Sequence, residues 1–206
     1  MTKFFILRHG ETEWNHNNNR YCGRTDISLS DIGVKQAQAA AKSLNGVLFD
    51  CIITSPLKRA KDTASIIKNE LSFKNEITTD KRLVEIDFGK WEGLTKQKIE
   101  NQYAESWTQW LKDPTLVNAG EIGETASSVY DRAISFYQDL SLKQPNSTIL
   151  VVAHNTFNRF FITGTLGIPF NQYRKFIQSN TGISILEWNK KDEIQWHQLN
   201  AMMHLL

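Results

Sequence analysis

The sequence predicts an α/β fold, a three-layer sandwich in which helices cover both faces of a mostly parallel central sheet. Two apolar runs, Phe4–Leu7 and Ile149–Ala153, are typical of strands that are buried on both faces. A histidine stands just past each run, His9 in the first case and His154 in the second. Helix signals and strand signals alternate between the two runs, as they do in proteins with a parallel sheet.

Composition places the chain among ordinary globular enzymes. With 206 residues and 40% hydrophobic content, it is long enough for one domain with a full core, and we assign residues 1–206 to that domain. The net charge is +2 and the lysines and arginines are scattered along the chain. The sequence therefore predicts no nucleic-acid partner.

The start of the chain and its cysteines bear on location. No segment approaches the ~18 consecutive apolar residues of a membrane span. The first residues, MTKFFIL, pass directly into Arg8 and His9 without the features of a signal peptide. Cys22 and Cys51 are too few for a disulfide framework in a chain of this size. We therefore expect a cytoplasmic protein with no membrane partner.

The segment after the first apolar run alternates between helix and strand. Ser30 is a suitable N-cap for a helix whose apolar residues continue at helical spacing to Leu44. Asp50–Thr54 has the composition of a strand. Ser55 followed by Pro56 predicts that the next helix begins there, with the serine as its cap.

The middle of the chain is less regular. Short extended pieces and turns are predicted for 76–94, followed by a helical excursion of about 95–123 near the site. Trp91, Trp107 and Trp110 lie in or near this excursion. They could form an aromatic wall of a substrate pocket, but their spacing favours packing of the excursion onto the sheet.

The C-terminal third returns to regular elements. An amphipathic helix begins at Ala126, and another follows the second apolar run from about Thr156. Gly182–Trp188 and Glu193–Leu199 are predicted to be a closing pair of strands around an NKKD turn. The tail, LNAMMHLL, is expected to pack on its own chain, and a homodimer contact is the alternative.

Polar groups converge at one edge of the predicted sheet. Ligands of open α/β sheets bind beyond the carboxyl ends of the strands. Arg8, His9 and His154 stand at two such ends, and Arg59 lies in the first turn of the helix that follows a third strand. Two imidazoles with two guanidinium groups suit a phosphate. Any one of them alone would more often be structural or merely solvated.

Six segments stand in a fixed order along the chain. They are LRHGETEWN, YCGRTDISLSDIGVKQA, ITSPLKRAKDTA, LVEIDFGKWEGLT, the GET of Gly123–Thr125, and VVAHN. In this order they resemble the histidine phosphatase superfamily, in its phosphoglycerate mutase-like branch, over nearly the whole length. The resemblance implies a phosphoglycerate mutase-like sandwich and a site for a small phosphorylated substrate.

The chemistry of the groups agrees with that resemblance. A neutral His9 can attack phosphorus and carry the phosphoryl group as phosphohistidine. Arg8 and Arg59 disfavour the protonated imidazole and hold the phosphoryl oxygens by charge-assisted hydrogen bonds. His154, protonated beside the dianion, is expected to be a third positive group on those oxygens.

Four further residues are candidates for the phosphate or substrate site. The resemblance implies that Asn15 donates to the phosphate, although a turn or helix-cap role explains it equally well. Cys22 and Gly23 occupy positions that contact phosphate or substrate in the family. Asn155 stands where many relatives carry glycine, so its side chain would narrow the pocket floor or add a hydrogen bond to the substrate.

The leaving oxygen needs a proton donor, and three carboxylates follow one another in LVEIDFGKWEG. Glu85 and Asp87 lie on the same side of an extended chain, so the residues alone leave these two open; Glu92 is a further competitor. The resemblance assigns the acid to Glu85.

A metal site is the chemical alternative. His9, His154 and Glu85 could supply two histidines and a carboxylate for zinc. However, Arg8 and Arg59 at the same edge would repel a dication, and the chain has no HExxH or CxxC spacing. We therefore expect no metal and no cofactor.

Three functions fit these residues. A phosphomonoesterase passes the phosphoryl group to water, a phosphoglycerate mutase returns it to another hydroxyl, and a non-catalytic module only binds a phosphate ester. The full set of catalytic groups disfavours the third function. Mutases of the superfamily tend to be longer, with more basic residues after the acid, whereas 91–123 has three lysines and no arginine. We therefore favour the phosphomonoesterase, on a substrate that the sequence does not select.

Overall fold

The computed structural model of the chain describes residues 1–16, 20–189 and 193–205. Within these residues, six strands form one sheet. The strands are β1 Thr2–Arg8, β2 Cys51–Thr54, β3 Thr78–Thr79, β4 Thr148–Ala153, β5 Ile183–Trp188 and β6 Ile194–Ala201. Their order across the sheet is β3-β2-β4-β1-β5-β6.

The sheet is parallel except at one side. β3, β2, β4 and β1 pair in parallel, whereas β5 runs antiparallel to β1 and β6 antiparallel to β5. The mostly parallel sheet predicted from the sequence is therefore confirmed. The predicted closing pair is β5 and β6, and residues 190–192 of its NKKD turn lie outside the described residues.

The four longest α-helices lie where the apolar spacing predicted them, to within a few residues. Two shorter helices form the predicted excursion, and the first α-helix of the chain was not predicted. In chain order, the α-helices are α1 Glu13–His16, α2 Asp31–Ser43, α3 Lys58–Glu70, α4 Lys96–Gln102, α5 Ala104–Lys112, α6 Ala126–Lys143 and α7 Asn155–Thr165. Ser30 caps α2 as predicted, since its hydroxyl accepts from the N–H of Gly33. Short 3-10 turns, including Phe170–Lys175, complete the chain.

Helices cover both faces of the sheet. Phe4 and Ile6 of β1 point into a core shared with α6 and α7. Phe5 and Leu7 point to the other face, into a core shared with α2 and α3. Because alternate residues of a strand face opposite sides, a strand between two cores must be apolar at every position, and this explains the continuous runs.

The start of α3 differs from the prediction. Ser55 and Pro56 do not begin the helix, because α3 starts at Lys58 after Leu57, with no side-chain cap. The Ser55 hydroxyl is buried and instead meets Nε2 of His154 at 2.7 Å. The same oxygen accepts the N–H of Leu57 at 3.3 Å, so Ser55 contacts both the histidine and the backbone just before α3.

The helical excursion packs onto the core through its tryptophans, which is the alternative that we favoured. Trp110 is fully buried and Trp107 is 4% exposed. Trp91 meets Trp107 with ring centroids 5.3 Å apart, in an edge-to-face arrangement. None of the three tryptophans lines the site described below.

The C-terminal turn packs on its own chain. The 3-10 turn Met203–Leu205 lies against α2, and Nε2 of His204 lies 3.1 Å from the hydroxyl of Thr181. Leu206 lies outside the described residues. In the described part of the chain, no helix is long and apolar enough to cross a bilayer. A single domain over 1–206, a homodimer and a cytoplasmic location stay predictions.

Candidate active site

Three neighbouring strands end at one edge of the sheet. β1 pairs with β4 so that Arg8 lies opposite Ala153, and the N–H of His9 donates to the Ala153 carbonyl at 3.0 Å. β2 flanks β4 on the other side, and α3 begins four residues after it. The strand ends therefore bring together Arg8, His9, Arg59 and His154, as the alternation of elements had suggested.

The imidazole of His9 is held in one tautomer. Its Nδ1 lies 2.6 Å from the carbonyl oxygen of Gly10, so Nδ1 carries the proton. Its Nε2 accepts a hydrogen bond from Nε of Arg59 at 3.2 Å. An atom that accepts an N–H bond is unprotonated, so the lone pair of His9 is on Nε2.

The charge state of His9 suits a nucleophile. Burial, followed by the positive charges of Arg59 and Arg8, holds the pKa of His9 well below its usual 6.5. The ring is therefore neutral at neutral pH. A neutral imidazole with a free Nε2 lone pair can form a bond to phosphorus.

His154 lies against His9, with 5.2 Å between the ring centroids. Its Nδ1 is buried without a hydrogen-bond partner among the described residues. Burial, and then the charge of Arg59, holds the pKa of His154 well below 6.5. The ring is therefore neutral at neutral pH in this structure, because the interior disfavours a further positive charge beside the arginines. Protonation of His154 beside a bound phosphate dianion stays a prediction.

Arg59 is fully buried and uses every nitrogen. Nη1 donates to the carbonyl of Thr25 at 2.8 Å and Nη2 to that of Gly23 at 2.7 Å, while Nε faces His9. Gly23 has φ +47°, and a Cβ there would collide with the carboxylate of Glu92. Gly23 therefore shapes the loop that anchors Arg59 and does not itself line the cleft.

Arg8 has a buried donor without a partner in the described structure. Its Nη1 donates to the carbonyl of Gln178 at 2.7 Å, and its buried Nε has no partner in the described structure. Burial, and then repulsion from Arg159, lowers the pKa of Arg8 to about 10, so the group stays charged at neutral pH. An unpaired N–H on a buried guanidinium is a ready donor to a phosphoryl oxygen.

Glu85 is the carboxylate of the site. It is only 5% exposed. Its Oε1 accepts the N–H groups of Ile86 at 2.9 Å and Phe157 at 2.8 Å. Its Oε2 accepts only that of Thr156, at 3.0 Å. The start of α7 thus fixes the carboxylate in place and leaves a lone pair of Oε2 free to carry a transferable proton.

The two competing carboxylates have other roles. Asp87 accepts the N–H of Gly89 at 2.8 Å and lies 3.7 Å from Arg24. Glu92 accepts the N–H groups of Arg24 at 2.7 Å and Thr25 at 3.0 Å. Neither lines the cleft, so the structure separates the carboxylates that the residues alone left open.

The contacts of Asn15 are compatible with both a turn role and a role as a donor to the phosphate. Its Oδ1 accepts the N–H of Thr12 at 3.2 Å and the Nδ2 donor of Asn180 at 3.3 Å, so it stabilises the turn. Because Oδ1 is occupied by these donors, the remaining Nδ2 of Asn15 is available as a donor in the cleft that this residue lines.

Cys22 and Asn155 also line the cleft. Burial raises the pKa of the Cys22 thiol to about 11, and its Sγ lies 3.8 Å from the carbonyl of Thr25. It is therefore a neutral thiol at neutral pH. Asn155 begins α7, and its buried Oδ1 has no partner in the described part of the chain.

Comparison with known proteins agrees with this geometry. Residues 4–201 match the family model of the histidine phosphatase superfamily, branch 1. The chain belongs to the histidine phosphatase superfamily. The resemblance of the six segments is therefore confirmed, and the fold is that of the family.

Named relatives narrow the enzyme class. The chain is 32% identical to phosphoserine phosphatase 1 of Hydrogenobacter thermophilus, over 100% of this chain and 95% of that one. It is 34% identical to a probable 2-carboxy-D-arabinitol-1-phosphatase of Arabidopsis thaliana, over 89% of this chain but only 37% of the longer relative. A crystal structure of phosphoserine phosphatase from Entamoeba histolytica with 3-phosphoglyceric acid superposes with a TM-score of 0.88 at 31% identity, over 100% of both chains. This histidine phosphatase is a phosphoric monoester hydrolase.

The cleft contains residues that no sequence motif indicated. It encloses about 630 Å³, including space open to solvent. Seven of the predicted residues line it, whereas His154 and Gly23 do not. It is also lined by Arg20, Tyr21, Phe88, Thr156, Arg159, Tyr173 and Arg174. Arg159 stands one helical turn after Asn155, a spacing that puts both on one face and could have revealed it. No pattern in the sequence indicated Tyr173 or Arg174 as site residues.

The arginines of the cleft correct the expectation, drawn from the composition of 91–123, that the site carries few positive charges. The absence of arginine from 91–123 predicts few positive charges at the substrate. The histidine phosphatase instead places Arg20, Arg159 and Arg174 in the cleft from other segments.

Among the described residues, no group of three histidines, cysteines or carboxylates is arranged to hold a metal ion.

Proposed function

We propose that this histidine phosphatase hydrolyses a small phosphomonoester without a metal ion, through a phosphohistidine on Nε2 of His9. The observation that carries the proposal is the tautomer of His9, whose proton is held by Gly10 and whose Nε2 faces Arg59. A nucleophile needs an unprotonated atom directed at a group that binds the electrophile, and Arg59 is that group.

The first step forms a bond from Nε2 of His9 to phosphorus and breaks the bond from phosphorus to the ester oxygen. The free Nε of Arg8, the Nε of Arg59 and Nδ1–H of a neutral His154 donate to the phosphoryl oxygens. Positioning and charge stabilisation are most of what phosphoryl transfer needs from a protein. Oε2 of Glu85 gives its proton to the departing oxygen, so that a neutral alcohol leaves.

The second step transfers the phosphoryl group to water. Glu85, now ionised, accepts a proton from the water as its oxygen bonds to phosphorus, and the bond from Nε2 to phosphorus breaks. Inorganic phosphate leaves, and both His9 and Glu85 return to their starting protonation states. No group outside the described cleft residues is needed to balance the reaction.

The proposal is tested by trapping the intermediate in chelator-treated protein. Acid-labile, base-stable labelling from a radioactive phosphomonoester is expected on His9, and p-nitrophenyl phosphate should be hydrolysed at an unchanged rate after chelation. His9→Ala should lose both signals. His204→Ala, at the C-terminal turn, is the matched control and should keep them. Activity that disappears with chelator and returns with zinc or magnesium would contradict the mechanism.

A further inference from the structure

We propose that the cleft contains a second anion-binding subsite, built from Arg159, Arg174 and the hydroxyls of Tyr21 and Tyr173, which binds a carboxylate on the organic part of the substrate. All four residues line the same cleft as His9. The inference rests on the proposed phosphatase activity and names the class of its substrate, a phosphorylated carboxylic acid.

The charge of the cleft exceeds what one phosphate requires. Five arginines line it, and Glu85 is the one carboxylate among the lining residues described. Arg159 and Arg174 form no ion pair with a carboxylate in the described part of the chain, whereas Arg24 and Arg132, outside the cleft, both do. A phosphate dianion held by Arg8 and Arg59 leaves the remaining positive charges uncompensated.

The positive groups fall into two sets. Arg59 and Arg8 act on His9 and lower its pKa. Tyr173 and Arg174 are the charged or titratable neighbours that most affect the pKa of Arg159, and Arg159 in turn is the charge that most lowers the pKa of Arg8. Arg174 donates from Nη2 to the hydroxyl of Tyr21 and from Nε to that of Tyr173 at 3.1 Å. Arg8 and Arg59 therefore surround the nucleophile. The second set, Arg174 and Arg159 with the two tyrosines, lies beside them and adjoins Arg8 through Arg159.

Hydrogen-bond donors of the second set lack acceptors. The Tyr173 oxygen accepts from Nε of Arg174 and, at 3.3 Å, from Nε1 of Trp110. Both of its lone pairs are then occupied, so its own O–H must donate, and no described residue accepts it. The Nε of Arg159 is buried and also unpartnered. Burial raises the pKa of Tyr21 to about 12, so Tyr21 is a hydroxyl donor as well.

The subsite is held rigidly. The Arg174 guanidinium lies 4.7 Å from the ring centroid of Trp107, and its Cζ lies 5.4 Å from that of Tyr173. Such cation–π contacts fix the plane of a guanidinium group. The tryptophan of the helical excursion therefore supports the subsite from behind, although it does not line the cleft.

The donor pattern favours a carboxylate over a second phosphate. Arg174 uses two of its nitrogens on tyrosines and presents only Nη1, and Arg159 and the hydroxyls add single donors. A planar, singly charged group with two oxygens matches this set better than a dianion with three terminal oxygens. The ligand of the Entamoeba structure, 3-phosphoglyceric acid, is an acid of this kind.

The test compares substrates that differ in the carboxylate. Phosphoserine is paired with phosphoethanolamine, and 3-phosphoglycerate with glycerol 3-phosphate. Wild-type kcat/KM is expected to favour the acid of each pair by at least about tenfold, the effect of one charge-assisted hydrogen bond. Arg159→Gln and Tyr173→Phe should each bring the ratio towards one, mainly through KM.

A control variant and a binding measurement test the carboxylate preference independently of turnover. Lys175→Gln removes one charge from an exposed residue next to Arg174 and should keep the wild-type ratio. Calorimetric binding of phosphoserine and phosphoethanolamine to His9→Ala reads the same preference without turnover and without altering the subsite. Tyr21→Phe provides a second, conservative variant.

The results that would contradict the subsite differ from those that would contradict the phosphatase activity. Equal kcat/KM within both pairs, with p-nitrophenyl phosphate still hydrolysed, would overturn the subsite and leave the phosphatase proposal intact. No hydrolysis of any ester and no labelling of His9 would instead refute the proposed function. A preference of about tenfold for 2,3-bisphosphoglycerate over 3-phosphoglycerate would overturn the carboxylate assignment.

Discussion

Arg59 donates from Nε to Nε2 of His9 across 3.2 Å, so the lone pair proposed to attack phosphorus accepts an arginine hydrogen bond. The other two nitrogens of Arg59 are fixed on loop carbonyls. In the proposed mechanism, a phosphoryl oxygen replaces Nε2 as the acceptor of this N–H, which frees the Nε2 lone pair for attack.

This relationship predicts that Arg59→Lys is severely impaired. A lysine carries one compact charge and cannot make three bonds in fixed directions. We expect kcat with p-nitrophenyl phosphate to fall about 100-fold, as for loss of one preorganised donor. Arg24→Lys, an exposed arginine outside the cleft, is the matched control and should retain activity. An Arg59→Lys enzyme with nearly full kcat would contradict the proposed role.

The contacts of Glu85 predict a dependence on the leaving group. Glu85→Gln cannot supply a proton, so it should lose most activity on an alkyl phosphate but much less on p-nitrophenyl phosphate, whose phenolate leaves unprotonated. Asp87→Asn should show no such selectivity, because Asp87 accepts the N–H of Gly89 outside the cleft. The ratio of kcat values on the two esters is the measurement. Selectivity in Asp87→Asn would place the acid two residues later.

The assignment as a phosphatase and not a mutase predicts which product forms from 3-phosphoglycerate. With 3-phosphoglycerate, with and without 2,3-bisphosphoglycerate, the protein should release inorganic phosphate or be inactive. Phosphorus NMR distinguishes phosphate from the 2-phospho isomer. Rapid interconversion of the isomers that depends on the bisphosphate would favour the mutase.

The buried histidines predict a loss of stability in mild acid. The pKa values of His9 and His154 lie well below 6.5 in the folded protein and return to about 6.5 on unfolding. Below that pH the unfolded chain binds protons that the folded chain does not, so stability present above pH 6.5 is lost as the pH falls. Each histidine should contribute a decrease of about 1.4 kcal/mol in unfolding free energy between pH 7.5 and 5.5.

Urea unfolding followed by tryptophan fluorescence at several pH values measures this change. His154→Asn removes one titrating group, so its stability should fall by about 1.4 kcal/mol less over the same range. His197→Ala, at a half-exposed position beside Glu187, is the surface control. An identical pH dependence in His154→Asn and wild type would show that burial does not shift the pKa of His154.

Much of this architecture is determined locally by the sequence. The apolar runs before His9 and His154 specify strands with two buried faces, and strand polarity then fixes which edge both histidines share. The capping serine of α2 and the six family segments are local features as well. These features sufficed for the fold class and for the sheet edge at which His9 and the guanidinium groups lie.

Tertiary structure decided what depends on distant partners. Ser55 contacts His154, 99 residues away, and α3 begins only at Lys58. The N–H groups at the start of α7 bind Glu85 and distinguish it from Asp87 as the carboxylate of the site. Arg174 reaches the cleft through contacts with Tyr21, 153 residues away. The pKa of a group and the donors left over in a cleft depend on burial and on such long-range contacts, which sequence periodicity does not encode.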